Sequence, residues 1–291
     1  MALTIVMYHY VRDGARIHAR TLAEFEAQLD FVTRGYEIVG LERVVAGAWP
    51  ENGCLLTFDD GLVEHLDVVA PALEARGLRG VFAVPGAPVV ERRPLDVQKT
   101  QFLLALSDDH AALGERLLEL ADVADVDDFR SANTPAHRFD PPATVFVKRA
   151  LQDGLPEERR RRVLDGLFRE CVTADERAFA DELYLTLDGC RELVARGHAV
   201  IGHGWEHRRL GLLDEAAQRA ELDGSRELVA RAGGTWAYCY AYGSRNETTL
   251  RLLRDSGCAL GLTTDVRVAA ADDDPLQLPR LDTNDLPFAA G

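Results

Sequence analysis

Apolar residues along the chain fall into two rhythms. Short apolar runs at Leu3–Tyr8, Tyr36–Val39, Cys54–Phe58, Val81–Val84, Ala199–Gly202, Trp236–Tyr240 and Ala259–Thr263 predict strands, and the unbroken run Cys54–Phe58 fits a buried parallel strand. Between them apolar positions recur at three- and four-residue spacing. Thr21-Leu22-Ala23-Glu24 is a capping box, Phe25, Leu29 and Val32 then share one helical face, and Gly35 supplies the stop. Leu66–Arg76 before Gly77, Leu187–Arg196 before Gly197, Glu215–Ala232 and Glu247–Ser256 read as further helices. About seven strands with helical crossovers favour an α/β barrel. An open doubly wound sheet is the alternative, because strand order is not written in a single sequence.

The rhythm breaks between residues 93 and 182. Helical patterns at Val97–Leu106, Ala111–Leu120 and Glu157–Glu170 carry this stretch, without a good strand run, and the segment from Ser131 to Pro142 reads as a loop. The expected organisation is a barrel from 1–92 and 183–291 with a helical insertion at 93–182, placed as a cover beside the mouth of the site.

Charge narrows the partners. The chain carries 33 Lys and Arg against 48 Asp and Glu, a net charge of −15, which argues against nucleic acid and anionic membrane as primary ligands. No stretch is apolar for the roughly 18–20 residues that a membrane span needs. Met1–Tyr8 lacks a basic leader and reads as a strand, so a cytoplasmic location is expected. The five cysteines, Cys54, Cys171, Cys190, Cys239 and Cys258, are scattered and form no CxxC pair. They are expected as reduced, small core residues rather than zinc ligands. Arg159–Arg162 is flanked by Glu157, Glu158 and Asp165, so a salt-bridged helix face fits better than a phosphate patch.

Candidate chemistry lies at strand ends. Asp59 and Asp60 follow the buried run ending at Phe58, at the end where barrel enzymes build their sites, and Gly61 permits a sharp exit. Taken alone, one of the pair serves equally well as a helix cap and the other as a solvated acid. His203 and His207 follow the strand ending at Gly202. At i and i+4 they share a face if the segment is helical and can then hold one metal ion, although two unrelated histidines give the same spacing. The offset of Glu206 excludes a zincin. One Asp with two His is a facial ligand set that leaves coordination positions open. The two motifs together are far more specific than either one. Trp205, between the histidines, either walls a sugar site or packs in the core. His65, His110, His137 and His198 have no motif context and read as structural or surface residues.

These residues carry a resemblance. Thr57-Phe58-Asp59-Asp60-Gly61 resembles the first motif of the polysaccharide deacetylases (NodB homology, carbohydrate esterase family 4). His203 and His207 resemble the second, H-[ST]-x-x-H, with Gly204 in place of the hydroxyl residue, and Tyr240-Ala241-Tyr242-Gly243 resembles the third. The resemblance covers about 1–92 and 183–285 and implies a distorted (β/α)7 barrel; the helical insertion lies outside it. It implies a divalent metal on Asp60, His203 and His207, commonly zinc, with cobalt, nickel or iron(II) as alternatives. It also implies Asp59 as general base and the backbone N–H of Tyr242 as an oxyanion donor. Two features depart from the family pattern. The stretch Cys239-Tyr240-Ala241 lacks the usual Arg of the third motif, and no His follows His207. A permuted branch, the poly-N-acetylglucosamine deacetylases, carries its catalytic His in an N-terminal YH motif, which Tyr8-His9 resembles. The segment Leu278–Asp282 resembles that branch's closing segment, so His9 is the expected general acid and Arg280 the expected brace for the base.

The expected function is metal-dependent removal of an acetyl or similar acyl group from an N-acylated sugar. A bacterial surface polysaccharide or its precursor, as in lipopolysaccharide biosynthesis, is the expected substrate. The alternatives are hydrolysis of a non-peptide C–N bond in a small molecule such as a cyclic amide, and a catalytically degenerate sugar-binding protein.

Overall fold

A computed structural model describes residues 2–14, 16–135 and 140–286. Of the histidines considered above, His137 lies outside the described residues. The chain divides into two compact units, 1–92 with 181–291, and 93–180.

The first unit is built on a strongly curled sheet, a distorted barrel of the expected class. Its strands are β1 (Ala2–Tyr8), β2 (Glu37–Ile38), β3 (Asn52–Phe58), β4 (Val81–Val84), β5 (Ala199–Gly202), β6 (Tyr238–Cys239), β7 (Gly261–Leu262), β8 (Ala269–Ala270) and β9 (Leu281–Asp282). The order is β7-β6-β5-β4-β3-β1-β8, with β2 also on β3 and β9 also on β1. All pairings are parallel except that of β8 with β1. The two last strands carry no apolar run that would mark them in the sequence. They form because their backbone groups find partners on β1.

One segment joins the two ends of the parallel series. Leu278 bridges to Leu262 of β7, and three residues later Leu281 pairs with Val6 of β1. Arg280 stands between these two attachments. Its N–H donates to the Asp265 carbonyl at 3.0 Å.

Strand alternation sorts the side chains into two cores. Leu3, Ile5, Leu55, Val81, Ala83, Ile201, Cys239 and Leu262 form one apolar cluster inside the curl. Val6, Tyr8, Cys54, Leu56, Phe58, Phe82, Val84 and Val200 point the other way and pack with helical residues such as Phe25, Leu29, Leu73 and Leu193. The Leu22–Gly35 helix starts at the Thr21 capping box. The expected Leu66–Arg76 helix instead begins with a π-helical turn at His65–Val69 and runs as α-helix only over Ala70–Glu74.

The second unit is helical among its described residues. Helices Asp96–Leu106, His110–Ala121, Val126–Ala132, Pro142–Arg149, Glu157–Cys171 and, up to the unit boundary, the start of Glu176–Leu183 surround a core that includes Leu103, Leu117, Phe146, Leu164 and Phe168. The segment expected as one loop is helical at both ends, because Asp125 caps Val126–Ala132 and Pro142 opens the next helix at a position where its missing N–H costs nothing. Arg160 and Arg161 form ion pairs with Asp96, and Arg161 also pairs with Glu157. Two of the four arginines in the run are thus salt-bridged.

Candidate active site

The site grows from the end of β3. Leu55, Thr57 and Asp59 share the inner face by alternation. Continued alternation would send Asp60 outward, but its backbone is left-handed, φ 76°, and so is that of Gly61, φ 61°. The turn lets both carboxylates serve one site. Both are buried, each 2% exposed.

Asp59 is gripped by Arg280. The guanidinium spans the carboxylate with bonds of 2.9 and 2.8 Å, donates to the Thr57 hydroxyl oxygen at 3.2 Å and to the Thr263 carbonyl at 2.8 Å. Burial by itself raises the Asp59 pKa, but the charge and hydrogen bonds of Arg280, together with the nearby histidines, outweigh it and hold the carboxyl well below its ordinary range. The Cys239 thiol donates to Asp59 Oδ2 at 3.4 Å. Burial pushes that thiol up, so it stays protonated. Cys239 is therefore buried as expected of a core cysteine, yet it lies in the site. Cys54 and Cys190 are buried as well, while Cys171 is exposed on the second unit and Cys258 is half-buried.

The histidines meet Asp60. Oδ1 of Asp60 lies 3.4 Å from His203 Nε2 and 3.6 Å from His207 Nε2. His203 Nδ1 donates to the Cys239 carbonyl at 2.8 Å, which aims its Nε2 at Asp60. His207 Nδ1 is buried without a hydrogen-bond partner among the described residues. Burial and the charge of His203 push the His207 pKa down to about 3, so the ring offers a neutral donor. One ligand atom each from Asp60, His203 and His207 falls within 4.8 Å of the others. This oxygen–nitrogen–nitrogen set, oriented from behind by a carbonyl, fits a divalent metal. Asp59, His203 and Cys239 also lie within that distance of one another, but the Arg280 cation and the protonated thiol make that group a poor cation site.

The spacing of His203 and His207 works through a loop, not a helix. Gly204, φ 81°, and His207, φ 57°, bend the backbone so that the two rings meet at 4.7 Å. Gly86 and Ala87 N–H groups donate to the carbonyls of Gly204 and Trp205 at 2.9 and 2.8 Å. Sequence reasoning missed Glu221. Its carboxylate, 4% exposed, accepts the N–H groups of Trp205 at 2.9 Å and Glu206 at 3.0 Å. A side chain at residue 204 would begin 3.1 Å from Glu221 Oε2, which accounts for glycine there. An acid within a helix is an unmarked surface residue until the fold places it.

The remaining expected residues are placed as follows. His9 follows β1 directly, and Asp59 N–H donates to the neighbouring Tyr8 carbonyl at 2.9 Å. His9 adds to the forces that keep both Asp59 and Asp60 ionised. Tyr242 has a left-handed backbone, φ 56°, with its ring edge-on to His207 at 4.8 Å and the Arg209 guanidinium 4.0 Å from its centroid. Trp205 packs closely on Gly86 and Gly224, where added Cβ atoms would come within 2.1 and 2.9 Å of the indole, and donates to Glu91 at 2.9 Å. The glycine contacts are packing contacts. His110 bonds Thr144 and the Leu104 carbonyl, and His198 bonds Glu74, both structural roles.

The family model described as polysaccharide deacetylase matches residues 138–261, a stretch holding His203, His207 and Tyr242 but not His9, Asp59 or Asp60. No curated protein matches the chain in sequence. Among solved structures, the chain is similar to the deacetylase PplD of Streptococcus pyogenes in complex with acetate, with 17% identity, 97% of this chain and 92% of that one covered, and a TM-score of 0.58. BC0361, a polysaccharide deacetylase from Bacillus cereus, shares 15% identity over 97% of this chain and 65% of its own, with a TM-score of 0.57. IcaB from Ammonifex degensii shares 17% identity over 96% and 91%, with a TM-score of 0.54. At these identities the structures establish a shared fold. The family model thus matches residues 138–261, and the chain shares the fold of these deacetylase structures.

Proposed function

We propose that this chain is a metal-dependent N-deacetylase acting on an N-acylated sugar of a surface polysaccharide or its precursor. The observation that carries this reading is one buried cluster holding two different tools. Asp60, His203 and His207 form a metal-ligand set, and beside it Asp59 is kept ionised by Arg280. Zinc suits the two imidazoles and one carboxylate.

A divalent cation bound there supplies Lewis acidity, activating water and polarising the acyl carbonyl. Asp59 takes a proton from the attacking water as its oxygen joins the acyl carbon. The N–H of Tyr242, on its left-handed turn, donates to the carbonyl oxygen as that oxygen gains charge. His9 gives its proton to the nitrogen as the C–N bond breaks, so the products are a free amine and the carboxylic acid. Protonation is needed because an amide anion is a very poor leaving group.

The test is acetate release from a panel of N-acetylated sugars, free and lipid-linked, with zinc-loaded, chelated and His9→Ala protein. Activity should require the metal and return on its addition. His9→Ala should keep the metal and lower kcat by roughly 10²–10⁴. Zinc-independent acetate release would sink the metal reading, and a near-normal kcat in His9→Ala would remove His9 as the acid.

A further inference from the structure

The turn after the paired aspartates carries a histidine that the reaction above does not use. His65 is 0% exposed, and its ring contacts those of Phe58 and Phe82 at 5.8 and 5.5 Å. Burying a polar ring among aromatics is unfavourable unless it makes a hydrogen bond. His65 makes one: Nε2 lies 3.0 Å from the carbonyl oxygen of His9. A carbonyl only accepts, so Nε2 carries the hydrogen. Burial lowers the His65 pKa, consistent with a neutral ring. Nδ1 has no hydrogen-bond partner among the described residues, so the bond to His9 is what the imidazole contributes here.

That carbonyl lies past the end of the sheet. The β1–β3 register stops at Tyr8 and Phe58. Beyond it the chain carrying His9 needs other anchors. His65 supplies one, and its neighbour Glu64, whose side chain is 5% exposed, supplies another through a 2.8 Å ion pair with Arg12. Two adjacent residues of the turn below Asp59 and Asp60 thus grip the segment that carries His9.

We propose that His65 is a positioning residue, holding the His9 backbone so that the His9 ring faces the leaving nitrogen. The inference rests on His9 being the general acid. A catalytic group displaced by about 1 Å can lose about 10²-fold in rate.

The test compares zinc-loaded wild type with His65→Leu and His65→Gln on two probes, chitopentaose as the N-acetylated amide and p-nitrophenyl acetate as the ester. Nitrophenolate leaves without a proton, so only the amide needs the acid. His65→Leu should lower the amide-to-ester rate ratio at least about tenfold. His65→Gln, whose side-chain amide can donate to the same carbonyl, should recover most of it. Histidine side-chain NMR reads the position directly. The His9 ring signals should shift in His65→Leu and return toward wild type in His65→Gln. Folded His65→Leu protein with unchanged His9 signals overturns the proposal, whichever sugar the enzyme prefers. An equal fall on both probes with unshifted His9 signals marks a general packing defect and also overturns it. If His9→Ala keeps its amide activity while the His9 signals move in His65→Leu, the acid assignment fails and the positioning contact stands.

Discussion

Arg280 and Asp59 show how one buried pair couples folding to chemistry. Their side chains are 1% and 2% exposed, so neither charge has water to fall back on. Removing one partner of such a pair costs about 3–5 kcal/mol, because the other is left buried and uncompensated. Arg280→Met should therefore lose about that much stability in urea titrations. Its Asp59 pKa should rise, since burial is then opposed only by the nearby histidines, and acetate release should be largely lost at neutral pH. Arg280→Lys keeps the charge but cannot form the two-pronged contact, so it should fall between the two. Wild-type stability in Arg280→Met would show that the pair does not bear this energy. Backbone strain gathers at the same place. Among the described residues, Asp60, His207 and Tyr242 are three of the five non-glycine residues with positive φ, and the other two, Arg92 and Asp122, stand at helix C-caps. Such conformations persist where the surrounding structure enforces them, commonly at functional sites.

At the level of elements, the loop from His203 to His207 depends on a helix that contributes no ligand. Glu221, on the Glu215–Ala232 helix, takes two backbone N–H groups of that loop and thereby sets where both imidazoles point. Glu221→Ala should fold, because the helix keeps its Asp214 cap and its apolar face. Supporting contacts behind metal ligands are typically worth 10–100-fold in affinity, so zinc should bind roughly that much more weakly. Competition against a chromogenic chelator measures this without any substrate. Unchanged zinc affinity would mean that the Gly86 and Ala87 amides hold the loop unaided.

Across the whole barrel unit, contacts remote in sequence close the structure. Leu278–Asp282 attaches to β7 and β1 together, and this is why Arg280 reaches Asp59, the residue after β3. Away from the site, Glu74 ties two helical crossovers, accepting from Arg196 at 2.8 and 2.9 Å and from His198 at 3.0 Å. The Arg196 bonds, then His198, lower its pKa from 4.5 to about 2. A carboxyl depressed on folding stabilises above its unfolded pKa and loses that contribution as pH falls toward the folded one. Glu74→Gln should thus be less stable than wild type at neutral pH, and the gap should close between about 4.5 and 2. Parallel stability curves from pH 7 down to 2 would refute this linkage.

Local pattern carried much of this protein. Buried parallel strands need unbroken apolar runs, so β1, β3, β4 and β5 are visible as such, and the barrel class follows from their alternation with helices. Paired acids and spaced histidines at strand ends marked the candidate chemistry, because strand ends at one rim of a barrel face one space. What the chain alone could not determine is which groups meet across it. The β8 and β9 pairings, the Glu221 support and the His65 contact join residues that are far apart in sequence or differ from no ordinary neighbour in type. The left-handed turns at Asp60 and His207 belong with these, since Asp and His tolerate that conformation better than most residues but do not dictate it. Their free energy comes from burial and hydrogen bonds that exist only once the sheet has curled, so tertiary structure alone decides them.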